Sequence, residues 1–241
     1  MESIQVENVS KSFKIFHSRN SVFEIVRGRS ASYEKLDVLK NITFDVKKGE
    51  TLGIIGSNGS GKTTLLRIIA GIYKPDTGNV SVKGSTIPLL ELGIGFHPDL
   101  TSIENIIIYG MILGFSKNEI KGKIDEILKF AELEKFRDVK INNFSSGMLS
   151  RLAFSTAAHT NPDVLLVDEI LAVGDISFRE KCYDWFSNFK KNGNSMIWVT
   201  HDLGQVSSFC DKALLLHKGE IHSYGDPMEV LKKYKQILGT Q

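Results

Sequence analysis

The sequence predicts an α/β protein with a mainly parallel sheet at its core, antiparallel strands near its N-terminus and a helical lobe inserted between strands. Three observations point there. A continuous apolar run, Thr51-Leu52-Gly53-Ile54-Ile55-Gly56, passes through a glycine-rich turn into a helical pattern, Thr64 to Gly71, which is how a βαβ unit opens. Apolar runs of the same kind return at Val164–Val167, Ser195–Val199 and Lys212–His217. Between the two groups, from about Thr101 to Asn161, the pattern is helical with few strand-like runs.

The first element is a half-exposed strand from Ser3 to Val9, where Ile4, Val6 and Val9 alternate with polar residues. A second strand, Ile42 to Val46, ends at the turn signal Lys47-Lys48-Gly49-Glu50. The helix after the glycine-rich turn stops at Gly71. In the middle, Ile120, Ile124, Ile127, Leu128 and Ala131 recur at three- and four-residue spacing, so this stretch predicts an amphipathic helix. A last helix starts at Asp226, with Pro227 at the first helical position and Glu229 at the third. The chain reads as one domain: residues 1–95 and 161–241 form the main lobe, and about 96–160 form the helical lobe.

Composition narrows the function. With 30 Lys and Arg against 28 Asp and Glu, the net charge of +2 gives no electrostatic case for a nucleic-acid binder. Cys182 and Cys210 cannot build a disulfide framework, so a reducing cytosolic setting is expected. The N-terminus is polar and alternating, unlike a signal peptide. The longest apolar stretch, around Ile106 to Phe115, falls short of the ~20 residues a spanning helix needs.

Residues 56–63 read Gly-Ser-Asn-Gly-Ser-Gly-Lys-Thr, matching G-x-x-x-x-G-K-[ST]. Here Gly56, Ser57, Asn58, Gly59, Ser60 and Gly61 form a loop whose backbone N–H groups can turn inward around phosphate oxygens. The helix that follows presents its positive end to the same anion, with Thr64 in its first turn. Lys62 would reach the terminal phosphates and Thr63 would ligate Mg²⁺. The run Val164-Leu165-Leu166-Val167 delivers Asp168 to a strand exit, where it would hold Mg²⁺ through water, and Glu169 beside it would act as general base toward the attacking water. The chain is therefore expected to be a P-loop NTPase.

Residues 144–151, Phe-Ser-Ser-Gly-Met-Leu-Ser-Arg, lie shortly before Asp168. With them the chain resembles the ATP-binding subunits of ABC transporters, whose signature is Leu-Ser-Gly-Gly-Gln. The resemblance implies that two copies pair head-to-tail, with Ser145, Ser146, Gly147 and Met148 of one meeting the ATP held by the loop of the other. Phe144, Ser146 and Met148 depart from the family wording. The same resemblance assigns Asp175 to the dimer interface, His201 to γ-phosphate contact and Phe13 to stacking on adenine. The family's Q-loop glutamine is missing; His97 stands at or near its place, with Glu91 as a competitor.

The segments LLELGIGFHPDLTSIENI, INNFSSGMLSRLAFS and VDEILAVGDISFREKC are similar to those of ATPase subunits that export bacterial surface polysaccharides: O-antigen, capsule and teichoic acid. That likeness implies ATP and Mg²⁺ as cofactors, a polytopic membrane permease as partner, a lipid-linked polysaccharide handled through it, and a peripheral place on the cytoplasmic face of the membrane. A small-solute importer ATPase and a soluble non-transport ATPase of the same superfamily are the alternatives. An insertion, about residues 15–35, places Val22, Ile25 and Val26 beside Arg19, Arg27 and Arg29. By itself it reads as a solvated loop helix; the resemblance equally implies a helix near the membrane face, where anionic headgroups or lipid-linked substrate could meet the arginines.

Overall fold

Both N-terminal strands run longer than their apolar patterns. In the computed structural model, which describes residues 2–16, 33–90, 92–168 and 174–239, β1 (Glu2–Phe16) pairs antiparallel with β2 (Tyr33–Lys47). Their outer halves are half-buried to exposed and mix charged residues with Phe13, Ile15, Tyr33 and Leu36, which is why the sequence marks only the buried ends. Register shifts near Asn8 break the alternation, and Asn8 itself takes a left-handed φ of 51°, a conformation asparagine tolerates. A third strand, β4 (Thr77–Val82), flanks β1 to give the order β2-β1-β4.

Asp76, just before β4, locks this sheet to the segment leading into it. Its carboxylate accepts from Lys11 Nζ at 2.8 Å and from the Ser12 N–H and hydroxyl at 2.7 Å each. The Lys11 bond, then the Ser12 hydroxyl, hold its pKa down at about 2. A carboxyl depressed in the folded state stabilises above its unfolded pKa, ~3.9, and that contribution is lost as pH falls through the folded value. Asp76→Asn should therefore flatten the stability loss between about pH 4 and pH 2, as read from urea midpoints across that range.

The main sheet has the order β5-β6-β7-β3-β8-β9. Strands β5 (Thr86–Leu89), β6 (Val164–Val167), β7 (Ser195–Val199), β3 (Thr51–Ile55) and β8 (Lys212–His217) run parallel, and β9 (Glu220–Gly225) closes the edge antiparallel. Strands β4, β5 and β9 escape the sequence pattern because they are short and carry Gly, Pro or exposed polar residues. The central strands are buried on both faces, and their alternation sorts side chains into two cores. Val164, Leu166, Ile54, Leu214 and Leu216 join the N-terminal sheet and α1 (Lys62–Ile69) on one side. Leu165 and Val167 face Phe154, Phe178 and Phe186 on the other.

The helix after the glycine-rich loop begins at Lys62, two residues before the apolar pattern suggests, because Lys62 and Thr63 form a polar first turn. The helical segment contains α2 (Ser102–Ile112), α3 (Lys117–Ala131) and α4 (Ser146–Ala158). Thr101 with Glu104, and Ser116 with Glu119, form reciprocal capping boxes at the starts of α2 and α3. The spaced isoleucines of α3 pack on Ile106 and Leu152 as their period requires. Two helices, α5 (Ile176–Lys191) and α6 (Leu203–Phe209), accompany the later strands. Asp226 accepts from the N–H groups of Met228 and Glu229, capping α7 (Pro227–Gly239) where the sequence places a helix start. No helix among the described residues is long and apolar enough to cross a membrane. Cys182 and Cys210 are both free thiols, each pushed up to about 12 by burial.

Candidate functional site

Because β3, β6 and β7 are parallel neighbours, the loops that follow them emerge at one edge of the sheet. The loop after β3 is Gly56–Gly61, and two of its glycines are required by shape. A Cβ on Gly56 would stand 2.1 Å from the Leu216 carbonyl oxygen, and one on Gly61 would stand 2.8 Å from Leu39 Cδ2 and 2.9 Å from the Val38 carbonyl oxygen. Their φ values of +152° and +107° are disfavoured for other residues as well. The loop is thus pressed between β2 and β8. The β8–β9 turn fastens it: Gly219 N–H donates to the Ser60 carbonyl at 3.2 Å, and Lys40 N–H donates to the Gly219 carbonyl at 2.8 Å.

Gly61 is the N-cap of α1, with no side-chain cap and no acidic residue in the first turn. The positive end of the helix therefore faces the loop with no acidic residue of its own first turn to neutralise it. Lys62 is buried, and its ammonium donates to the carbonyls of Gly56 at 2.8 Å and Ser57 at 3.1 Å. The Ser60 hydroxyl is buried without a hydrogen-bond partner. A cavity of about 410 Å³ opens here, lined by Asn58, Gly59, Gly61, Lys62, Thr63, Thr64, Asp168, Leu36 and Val38. An uncapped helix start and a buried ammonium at one cavity suit a phosphate chain.

Asp168 is buried at the end of β6, and the Thr63 hydroxyl approaches its Oδ2 at 3.5 Å. Two hard oxygen donors this close fit a shared Mg²⁺. At the end of β7, the Thr200 N–H donates to the Ile54 carbonyl at 3.3 Å, tying that strand's exit to β3. His201 follows and is exposed, at the same edge but outside the cavity lining. Asp202 caps α6 through the N–H groups of Gly204 and Gln205. Glu169, Glu91 and the 17–32 part of the insertion, with Arg19, Val22, Ile25, Val26, Arg27 and Arg29, lie outside the described residues.

Ser145 caps α4, accepting from the Met148 N–H at 3.2 Å. Ser145 and Ser146 are exposed, while Gly147 and Met148 are half-buried. None of the four lines the cavity of their own chain. Asp175 has two tasks within its own chain: it accepts from the Phe178 N–H at 3.0 Å as N-cap of α5, and it pairs with Arg151 of α4. Arg151 also reaches Glu132 at 2.9 Å, and its guanidinium lies over the Phe178 ring, 5.0 Å from the centroid.

Phe13 is half-buried in β1, opposite Leu36 of β2, and its ring meets Tyr73 edge-on at 5.8 Å. Leu36, not Phe13, lines the cavity, although cross-strand partners share a sheet face. His97 is exposed and engaged locally. Its N–H donates to Asn105 Oδ1 at 2.7 Å, and its ring Nδ1 accepts from the Asp99 N–H at 3.4 Å. Asn105 is fully buried and organises this turn, also donating to the carbonyls of His97, Leu100 and Thr101.

Sequence reasoning missed Leu36, Val38, Asn105 and Arg151. The first two sit in the outer part of β2, where alternation is weak. Asn105 gave a signal, being a polar residue on the apolar side of a helix. Arg151 gave none, since its partners lie 19 and 24 residues away.

The chain matches the ABC transporter family over residues 39–172. It is 41% identical to the O-antigen export system ATP-binding protein RfbB of Myxococcus xanthus, over 99% of this chain and 56% of that protein. It is 42% identical to the teichoic acids export ATP-binding protein TagH of Bacillus anthracis, over 98% and 43%. A Klebsiella pneumoniae protein named as RfbB is 37% identical, with 98% of both chains covered. The chain thus spans about half the length of the Myxococcus and Bacillus relatives. The solved dimeric ATP-binding cassette MJ0796 with ADP and Pi superimposes with a TM-score of 0.73 at 26% identity, covering 93% of this chain and 98% of that one. A further ATP-binding subunit of an ABC transporter, 22% identical with a TM-score of 0.75, shares the fold. The phosphate-binding loop, the mainly parallel sheet and these matches place the chain in the ABC transporter family, among its ATP-binding subunits.

Proposed function

We propose that this chain hydrolyses ATP to drive export of a lipid-linked surface polysaccharide, of the O-antigen, capsule or teichoic acid type, through a polytopic permease at the cytoplasmic face of the membrane. The observation that carries this reading is the convergence of Lys62, Thr63 and Asp168 on one cavity at an uncapped helix start. The names of the three relatives given above, each of an export system, favour a polysaccharide over a small imported solute.

In this reading the Gly56–Gly61 amides and the Lys62 ammonium hold the phosphates of ATP. Thr63 and Asp168 would hold Mg²⁺, which when bound would supply positive charge toward the phosphate oxygens. Glu169 takes the proton of the attacking water and His201 positions the γ-phosphate. A second copy completes the site, its exposed Ser145 and Ser146 offering hydroxyls from a helix start whose positive end faces the γ-phosphate. This explains why the signature residues stand apart from the cavity of their own chain. Phe13 and Leu36 form the wall for the base.

An export ATPase needs a partner that forms the passage. For that partner we assign the groove of about 450 Å³ between α1, β5 and α2, where the large apolar side chains Ile72, Ile94 and Ile112 are each more than half exposed. Deleting the gene should abolish surface polysaccharide, read by gel and glycan staining, and the wild-type chain should restore it. An unchanged surface with an accumulating or missing small solute would favour import instead.

A further inference from the structure

We propose that Tyr73 is a positioning residue for the nucleotide base: it holds the Phe13 ring in the wall that the base meets. The proposal rests on the reading of Phe13 as a base contact and adds to it a residue from a different part of the chain.

Phe13 stands on β1 opposite Leu36, which borders the cavity that holds Lys62 and Asp168. A flat ring on an exposed strand end would turn freely, and a freely turning ring grips a base poorly because stacking depends on orientation. Here the ring is held. Tyr73 meets it edge-on, with centroids 5.8 Å apart and planes at 67°. The Lys11 ammonium lies 5.5 Å from the same centroid. Both neighbours are themselves fixed. Lys11 is tied by Asp76 and the Lys74 carbonyl, each at 2.8 Å. Tyr73 receives a hydrogen bond on its hydroxyl from Arg67 of α1 at 3.2 Å, and its ring packs under the Arg67 guanidinium at 5.6 Å. The Tyr73 N–H also bonds the Arg67 carbonyl. Since α1 begins at Lys62, the helix that presents its start to the phosphates also braces, one turn on, the ring beside the base. Tyr73 does not line the loop cavity; it borders the apolar groove assigned above to the permease and packs against the main core, so it reaches the base only through Phe13.

The test compares MgATP with inorganic tripolyphosphate, which has the phosphates and no base, by calorimetry on the whole chain. Tyr73→Leu should weaken MgATP roughly two- to tenfold, the size of an edge-to-face contact, and leave tripolyphosphate unchanged. Tyr73→Phe keeps the ring and should keep most of the ATP affinity. Equal ATP affinity in Tyr73→Leu and wild type overturns the proposal, as does equal weakening of both ligands, which would place Tyr73 in the loop's general support. A Tyr73→Phe loss as large as that of Tyr73→Leu also overturns it. Phe13→Ala separates the underlying reading: if it weakens both ligands equally or neither, the base-wall reading fails and Tyr73 with it, while tripolyphosphate binding by wild type keeps the phosphate cradle standing.

Discussion

Lys62→Ala should abolish measurable nucleotide binding while leaving the protein folded. Among the described residues lining the phosphate cavity the Lys62 ammonium is the one cation, and it is buried. Charge-assisted hydrogen bonds contribute ~1.5–3 kcal/mol each, so losing two or three from phosphate lowers affinity by at least about a hundredfold. A second effect acts in the same direction. Lys62 bridges the carbonyls of Gly56 and Ser57, so alanine removes the tie that sets the loop's curvature. The fold is carried by Leu65, Leu66, Ile68 and Ile69 of the same helix, which are buried in the main core and untouched by the change. Calorimetry with MgATP, alongside a thermal melt, gives both readouts. Undiminished ATP affinity in a folded variant would refute the cradle assignment.

The second large effect is expected from Glu169→Gln. The amide keeps the size of the side chain and cannot take a proton, so the hydrolytic step should slow by ~10²–10⁴ while ATP binding persists. Slow hydrolysis leaves the triphosphate in place at the seam between two copies, and ATP-bound dimers should accumulate. Size-exclusion chromatography in MgATP, with phosphate release measured on the same samples, follows both quantities. Turnover at the wild-type rate would remove Glu169 from its role and shift attention to another proton acceptor.

How much of this was legible beforehand depended on the range of the interaction involved. The core strands were readable because burial on both faces forces continuous apolar runs, as at Val164–Val167 and Ser195–Val199. The phosphate loop was readable because Gly56, Gly59, Gly61, Lys62 and Thr63 fall in one short run, in which close neighbours hold Gly56 and Gly61 to shape. Reach was harder to see. β1 and β2 extend beyond their apolar alternation because they pair with each other and face solvent along half their length, a condition no single segment records. Arg151 and Tyr73 act on partners brought near only by the fold, the first on Glu132 and Asp175, the second on Phe13. Asp175 shows the same limit from the other side. The resemblance assigns it to the dimer interface, and the fold adds tasks no local pattern records: its carboxylate caps α5 and pairs with Arg151 within its own chain.

That pairing has a consequence for coupling. Arg151 grows from the helix whose opening serines would, on the proposed pairing, meet the neighbour's ATP, and it grips Asp175, a few residues downstream of the chain's own Glu169. What each copy lends and what it keeps for itself are thus joined by one guanidinium. On the proposed head-to-tail pairing, a shift at either end of that joint would be passed to the other within the same chain.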